Sequence, residues 1–593
     1  MAKLSYRVEI EDAHAHLFRV TLTLPDPAAL QRLSLPVWIP GSYLVREFSR
    51  HLSGMQARQG ARSVPLRQTS KNSWEAQCSG RAALTLSYRV YAFDTSVRAA
   101  FLDPERGFFN GSSLFLRAHG REDEVHEMRL AALPRGWQVA TAMPATGALR
   151  YEARNYDELV DHPVELGRFW RAEFVAGGVP HELVVTGALP VFDGERLLRE
   201  TQRICSAQIE FWHGAAKAGK RSKKDVAPPF ERYVFLLNAV GEGYGGLEHR
   251  ASTALLASRQ DLPVLGQAAI SDGHARLLGL ISHEYFHTWN VKRLKPAEFE
   301  ALDHSQENYT ELLWFFEGFT SYYDDLFLLR SGLIDAPRYL KLLSATASSV
   351  LAAPGRKVHS LAQASYEAWI KYYRPDENTP NATVSYYAKG ALLALALDLS
   401  LRSGMTRTAQ PGCSLDDVMR GLWLRSGGAA ITEADVLEVV AALGGPELAG
   451  QLRHWVHGTD ELPLPLLCEQ VGLQWGSEAA SLAQRLGLRV TEQGGQVLVK
   501  QVLQGSAAVR AGLAAGDEIL ACNDWRLRRL DEALLTLDAK QPRRLRLLVA
   551  RDQRLVTLQL QLPLELSGQP ARLTLADTGS VHALSLRRAW LGA

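Results

Sequence analysis

The chain has 593 residues, more than one hydrophobic core accommodates, and its 46% hydrophobic and 22% charged side chains are the make-up of ordinary globular domains. Its 66 basic and 64 acidic residues leave a net charge of +2, which offers no field to attract nucleic acid or an anionic membrane. The five cysteines (Cys78, Cys205, Cys413, Cys468, Cys522) are scattered and odd in number, which speaks against a disulfide framework or a cysteine-based zinc site. The start, Met1-Ala2-Lys3-Leu4-Ser5-Tyr6-Arg7-Val8-Glu9, carries charges where a signal peptide needs an apolar run, and no apolar stretch reaches membrane-spanning length. A cytoplasmic location is therefore expected.

Residues 1–172 read as a β domain. His16–Leu24 alternates Val20, Leu22 and Leu24 with Thr21 and Thr23, and Ala83–Val90 does the same with Leu84, Leu86 and Tyr88. Pro25-Asp26-Pro27 and Pro40-Gly41-Ser42 punctuate the runs as turns, which suggests an antiparallel sandwich or a saddle-shaped sheet. His14 and His16, two apart on an expected strand, read as solvated residues rather than metal ligands. From 173 to 465 the pattern becomes mixed and then helical. Leu197–Trp212 has helical spacing, the basic run Lys217–Lys224 reads as a solvated loop, and Tyr233-Val234-Phe235-Leu236-Leu237 reads as a buried strand. The strand leads into Gly241-Glu242-Gly243-Tyr244-Gly245-Gly246-Leu247-Glu248-His249-Arg250. Gly245 and Gly246 let another backbone approach, so this segment can serve as the edge on which a substrate peptide is added as a strand, with a plain turn as the alternative. Glu248 is then placed to take a substrate α-ammonium group.

The chemistry concentrates at residues 274–330. Leu277, Leu278, Leu280, Ile281, Tyr285, Phe286 and Trp289 make one helix apolar on most sides, yet it contains His283-Glu284-Tyr285-Phe286-His287. At about 100° per residue, positions i and i+4 share a face, so His283 and His287 can share a metal ion while Glu284 sits one step round as a base. A second apolar stretch, Leu312–Phe327, holds Glu317 in its middle, and a buried carboxylate needs a cation. Two histidines and one glutamate form a three-ligand zinc set with a fourth position free for water, one Zn2+ per chain. Beyond it, Ser385-Tyr386-Tyr387-Ala388-Lys389-Gly390 opens the helical run Ala391–Leu401, and Ser414/Asp417 and Thr432/Asp435 have capping-box spacing, the second helix stopping at Gly444-Gly445. His454 and His457 flank Trp455-Val456 without a nearby acidic partner in sequence and read as structural.

Residues 466–565 look separate. Gly505-Ser506-Ala507-Ala508, Ala511-Gly512-Leu513 and Gly516-Asp517-Glu518-Ile519 resemble the signature of a circularly permuted bacterial PDZ domain. That resemblance implies that Leu486-Gly487-Leu488 supplies backbone N–H groups to a peptide's C-terminal carboxylate, and that protein C-termini are possible partners. Asn523-Asp524 stands where Asn-Gly is usual. Residues 566–593 read as a strand-prone tail.

Taken together, Gly245-Gly246-Leu247-Glu248-His249, the HExxH helix through Arg293, Trp314–Thr320, Ser385–Gly390 and the PDZ signature resemble the glycyl-aminopeptidase family of PDZ-containing zinc metallopeptidases. The resemblance implies a multidomain α+β fold with a thermolysin-like catalytic domain. It implies zinc ligands His283, His287 and Glu317, the base Glu284, an amine-binding Glu248 and an oxyanion-stabilising Tyr387. The expected substrates are peptides with a free N-terminus, small Gly or Ala residues first. Two features depart from the related large aminopeptidases: the separation 317 − 287 = 30 implies a longer connection from Lys292 to about Asn308, and Glu248 is followed by His249 rather than Asn. Two rival readings remain, a PDZ-guided endopeptidase and a catalytically inactive peptide-binding scaffold. The residues are silent on oligomeric state.

Overall fold

The computed structural model describes residues 3–214, 227–404, 412–538, 543–563 and 569–592; the basic run Lys217–Lys224 lies outside the described residues. The chain divides into two compact units, residues 1–308 with 428–430 and residues 309–427 with 431–593. The first boundary thus falls inside the stretch read from sequence as one catalytic domain.

In the first unit, Leu4–Asp12 pairs with Leu17–Leu24 as an antiparallel hairpin and with His126–Leu130 in parallel, within an eight-stranded sheet. Phe18, Val20, Leu22 and Leu24 are buried while their alternate neighbours are half-buried, the period-two pattern of a strand with one face on a core. Two four-stranded sheets complete this β-rich half, and Leu22, Leu86, Tyr88, Phe109 and Phe115 lie in its core. His14 and His16 are not on a strand, which corrects the expectation. They sit in the turn between Asp12 and Leu17, where His16 takes φ +60 and its Nδ1 lies 2.6 Å from the Leu102 carbonyl oxygen.

The rest of this unit is built on a five-stranded sheet. Val179–Thr186, Tyr233–Val240 and Ser252–Ser258 run parallel, and Tyr233–Val240 is buried along nearly its whole length, as a central parallel strand must be. Trp170–Ala176 lies at one edge and Tyr244–Glu248 at the other, antiparallel to Ser252–Ser258 with Gly246 opposite Leu255. The glycine-rich segment is therefore an edge strand. The helix Gly194–His213 lies between Val179–Thr186 and Tyr233–Val240 in the chain and Asp272–Phe286 follows Ser252–Ser258; the two are joined where Gln208 Nε2 donates to the Ser282 carbonyl oxygen at 2.8 Å.

The second unit begins with Leu313–Phe316 and Gly318–Arg330, two helical segments meeting at Glu317, and continues through Ala336–Leu351 and Tyr386–Ser403. Both capping boxes read from sequence form, at Ser414/Asp417 and Thr432/Asp435. His454 and His457 do have acidic partners, which corrects the sequence reading: Asp460 at 2.7 Å and Glu433 at 3.0 Å, each its own.

The PDZ sheet runs in the order Leu488–Gln493, Gln496–Val502, Glu518–Cys522, Arg544–Arg551, Arg554–Gln561. Asn523 and Asp524 take φ +49 and +71 between Cys522 and its partner Trp525, the two positive angles that a type I′ turn requires. Leu486-Gly487-Leu488 is not an open loop. Leu486 ends the helix Leu482–Leu486, the Gly487 N–H donates to the Gln484 carbonyl oxygen at 3.1 Å, and Leu486 and Leu488 are buried in the domain core. The Gly487 N–H thus takes part in closing that helix. The tail also differs from expectation. Ala571–Leu575 is a strand, but it pairs with Leu473–Ser477 outside the PDZ sheet, and Val581–Leu591 is a helix that buries Trp590. Among the described residues no helix is long and apolar enough to cross a membrane.

Candidate metal centre and substrate edge

In the first unit, Asp272–Phe286 begins at Ser271, whose hydroxyl accepts from the His274 N–H at 3.0 Å. The helix is then held by contacts on its apolar sides. Tyr285 OH lies 2.8 Å from His181 Nε2, and Leu277, Leu278, Ile281 and Phe286 are fully buried. This fixed rotation leaves His283, Glu284 and His287 to one remaining side.

His287 is buried and its Nδ1 lies 2.8 Å from the Asn290 carbonyl oxygen. A carbonyl only accepts, so Nδ1 carries the proton and Nε2 is the ring atom that can serve as a metal ligand. That Nε2 lies 3.0 Å from His283 Nε2, with the two rings at 86°. Two imidazole nitrogens turned toward one point form the donor pair a divalent ion takes, so this part of the expected ligand set fits zinc. Behind it the chain turns sharply. Val291 takes φ +121, a strained angle for a β-branched residue, held by a 2.7 Å bond from its N–H to the Leu294 carbonyl oxygen.

The edge strand supplies the acids. Oxygens of Glu248 and Glu284 and a ring nitrogen of His287 all lie within 4.8 Å of one another, and all three residues are buried. Both carboxylates are admitted by glycines. A Cβ on Gly246 would stand 2.0 Å from Glu284 Oε1, and one on Gly41, at φ +93, would stand 2.4 Å from Glu248 Oε1. Gly41 read from sequence only as part of a Pro-Gly-Ser turn, and nothing in that turn pointed to Glu248.

A cavity of about 250 Å³ lies beside Glu248, lined among others by Gly41, Tyr43, Asp161, His249 and Lys292. Asp161 organises its wall, accepting from Lys292 Nζ at 3.1 Å, His249 Nδ1 at 3.2 Å and the Arg250 N–H at 2.9 Å. Burial would raise the Asp161 pKa, but the Lys292 ammonium and the His249 hydrogen bond outweigh it and hold the carboxyl well below its usual range. His249, the residue that departs from the related aminopeptidases, is thus a partner of Asp161. Sequence reasoning had no signal for that contact across 88 residues.

In the second unit, Glu317 is 2% exposed. Its turn is pressed onto the start of Tyr386–Ser403 through two glycines, a Cβ on Gly318 meeting Gly390 Cα at 2.5 Å. Ser385 caps that helix, its hydroxyl accepting from the Ala388 N–H at 3.2 Å. Tyr387, the second residue of the helix, stacks on Tyr372 at 5.3 Å and on Tyr386 at 4.7 Å. Burial first, and the Glu317 charge second, push its hydroxyl pKa well above the ordinary value, so it remains an O–H donor at neutral pH. The structure thus brings Glu317 and Tyr387 together, and it brings His283, Glu284, His287 and Glu248 together. The aromatic floor made by Tyr372 was not anticipated, since one tyrosine among eighteen carries no positional signal.

A model of the M61 peptidase N-terminal domain matches residues 5–168, the M61 glycyl aminopeptidase model matches 276–393 and a PDZ model matches 484–562. Among solved structures, an aminopeptidase N family protein from Idiomarina loihiensis is 35% identical, covers 99% of this chain and 100% of that one, and superposes with a TM-score of 0.91. An M1 zinc metallopeptidase from Deinococcus radiodurans is 17% identical, covering 78% of this chain and 95% of that one, with a TM-score of 0.45. Aminopeptidase A from Legionella pneumophila, solved with aspartic acid, is 12% identical over 77% of this chain and 49% of that one, with a TM-score of 0.45. No curated protein matches the chain.

Proposed function

Because the chain belongs to the M61 glycyl aminopeptidase family and is a peptidase, we propose that it is a zinc-dependent aminopeptidase releasing small N-terminal residues, Gly or Ala, from peptides. The observation that carries this reading is the grouping of Glu248, Glu284 and His287 at the end of an edge strand. An edge strand takes an extended peptide, and a carboxylate at its end stops that peptide by its ammonium group.

His283, His287 and Glu317 would hold one zinc ion, two neutral imidazoles and one carboxylate leaving a coordination position open. When bound, the ion polarises the scissile carbonyl and acidifies water. Glu284 accepts the proton of the attacking water and returns it to the leaving amine nitrogen. Gly246 leaves room for that carboxyl to stand beside the peptide-binding strand. Glu248 anchors the free α-ammonium group, its position set by the Gly41 backbone. Tyr387 donates its hydroxyl proton in a hydrogen bond to the oxyanion that develops at the carbonyl. The PDZ domain would take protein C-termini, presenting the exposed side of Leu488–Gln493.

The reading is tested with one peptide in free-amine and N-acetylated forms. The zinc-loaded protein should cleave the first and leave the second intact. Equal cleavage of both would sink the exopeptidase reading and favour an endopeptidase.

A further inference from the structure

The strand Tyr244–Glu248 has opposite charge at its two ends. Glu248 stands at one end. Toward the other, Arg98 Nη2 donates to the Gly246 carbonyl oxygen at 3.3 Å, and a Cβ on Gly245 would lie 3.6 Å from Arg98 Nη1. The guanidinium therefore runs alongside the two glycines. It is delivered there by a constrained loop: Asp94 accepts from the Ser96 N–H at 2.8 Å, and the Ser96 hydroxyl accepts from the Arg98 N–H at 3.3 Å.

Arg98 makes no ion pair among the described residues, and its buried Nε has no hydrogen-bond partner there. A guanidinium carries five donors, so one long bond to a carbonyl leaves most of its capacity for a planar anion. A second cation follows outward, Arg276 stacked 3.9 Å above the Tyr244 ring.

We propose that Arg98 binds the C-terminal carboxylate of short peptides, which makes di- to tetrapeptides with both termini free the substrate class of this site. The proposal rests on the aminopeptidase reading, in which Glu248 holds the other terminus. A peptide added antiparallel to this strand runs from Glu248 toward Tyr244. At about 3.4 Å per residue, Gly246 lies roughly 7 Å and Tyr244 roughly 14 Å from Glu248, the lengths of an extended dipeptide and tetrapeptide. The edge thus measures substrate length, with an acid to receive the amine and arginines to receive the carboxylate.

The test compares Ala-Ala-Ala with its C-terminal amide on the zinc-loaded full chain, reading the ratio of their kcat/KM values. Both substrates see the same sample, so the fraction of folded protein cancels. The free acid should be favoured roughly tenfold, the scale of one charge-assisted contact. Arg98→Met should bring the ratio toward one through KM, and Arg98→Lys should retain part of it. In a hexapeptide pair the preference should vanish, because the carboxylate then lies beyond both arginines. A wild-type ratio near one, or an Arg98→Met ratio equal to the wild-type value, overturns the proposal. In the latter case Arg98 merely caps the edge. Acetyl-Ala-Ala-Ala, run alongside, separates the two readings. Its cleavage at the rate of the free peptide defeats the aminopeptidase reading whatever the ratio, whereas its refusal with a ratio of one defeats only the role of Arg98.

Discussion

Two helices of this protein, Asp272–Phe286 and Tyr386–Ser403, are buried on nearly every side, yet they treat charge in opposite ways. In the second, Asp398 is fully buried and matched: Arg402 donates at 2.9 Å, Tyr322 OH at 2.6 Å and the Leu415 N–H at 2.8 Å. The first brings Glu284 and His287 up against Glu248, gathering two acids and an imidazole within 4.8 Å, with the His283 ring 3.0 Å from the His287 nitrogen. A carboxylate closed by a guanidinium and two neutral donors holds helices together and has nothing left to offer. Two buried carboxylates gathered with imidazoles instead form a set suited to a cation or a substrate ammonium. The difference separates the charges this chain spends on structure from those to which we assign the reaction.

Substitutions can break that contrast, beginning with the metal. His283→Ala should abolish both zinc retention and turnover; metal analysis of the purified variant checks the first, and unchanged zinc content would show the ligand is misassigned. Glu284→Gln should retain zinc while kcat falls by about three orders of magnitude or more, the upper range for losing a general acid–base. If zinc were lost as well, Glu284 would be a ligand rather than the base. Tyr387→Phe should lower kcat by about two to three orders, the cost of one oxyanion donor; an effect confined to KM would remove it from that role. Asp398→Asn sharpens the comparison from the other side. It strands the buried Arg402 charge and should cost about 3 kcal/mol or more of stability, measured as a lower unfolding midpoint, with kcat per folded molecule unchanged. A large loss of kcat there would mean that the two helices do not divide their work as described.

Much of the centre was legible because it depends on local periodicity. Polar residues at i, i+1 and i+4 in an otherwise apolar helix share a side wherever that helix packs, so the grouping of His283, Glu284 and His287 follows from spacing. Both capping boxes and the PDZ signature are equally local. What escaped depends on contacts distant in sequence. Arg98 reaches Gly246 across 148 residues, and Ala571–Leu575 pairs with Leu473–Ser477 across about a hundred residues of chain. His14 and His16 were misread because strand alternation does not mark where a hairpin turns. That Gly487 closes the helix Leu482–Leu486 was not legible either, because a glycine in the left-handed region closes a helix as readily as it opens a loop.

The amino-acid sequence by itself determined which helices would be buried, which of them carried ionisable groups, and which modules the chain contains. Hydrophobic period and cap chemistry act over a few residues and tolerate any surroundings. Only the tertiary structure decided that Gly41 admits Glu248, that Asp161 holds His249, and that an arginine from the β-rich half lies along the edge strand. Those placements are settled when sheets and loops close over long stretches of chain, where side-chain identity states what a residue can bind but not what it will meet.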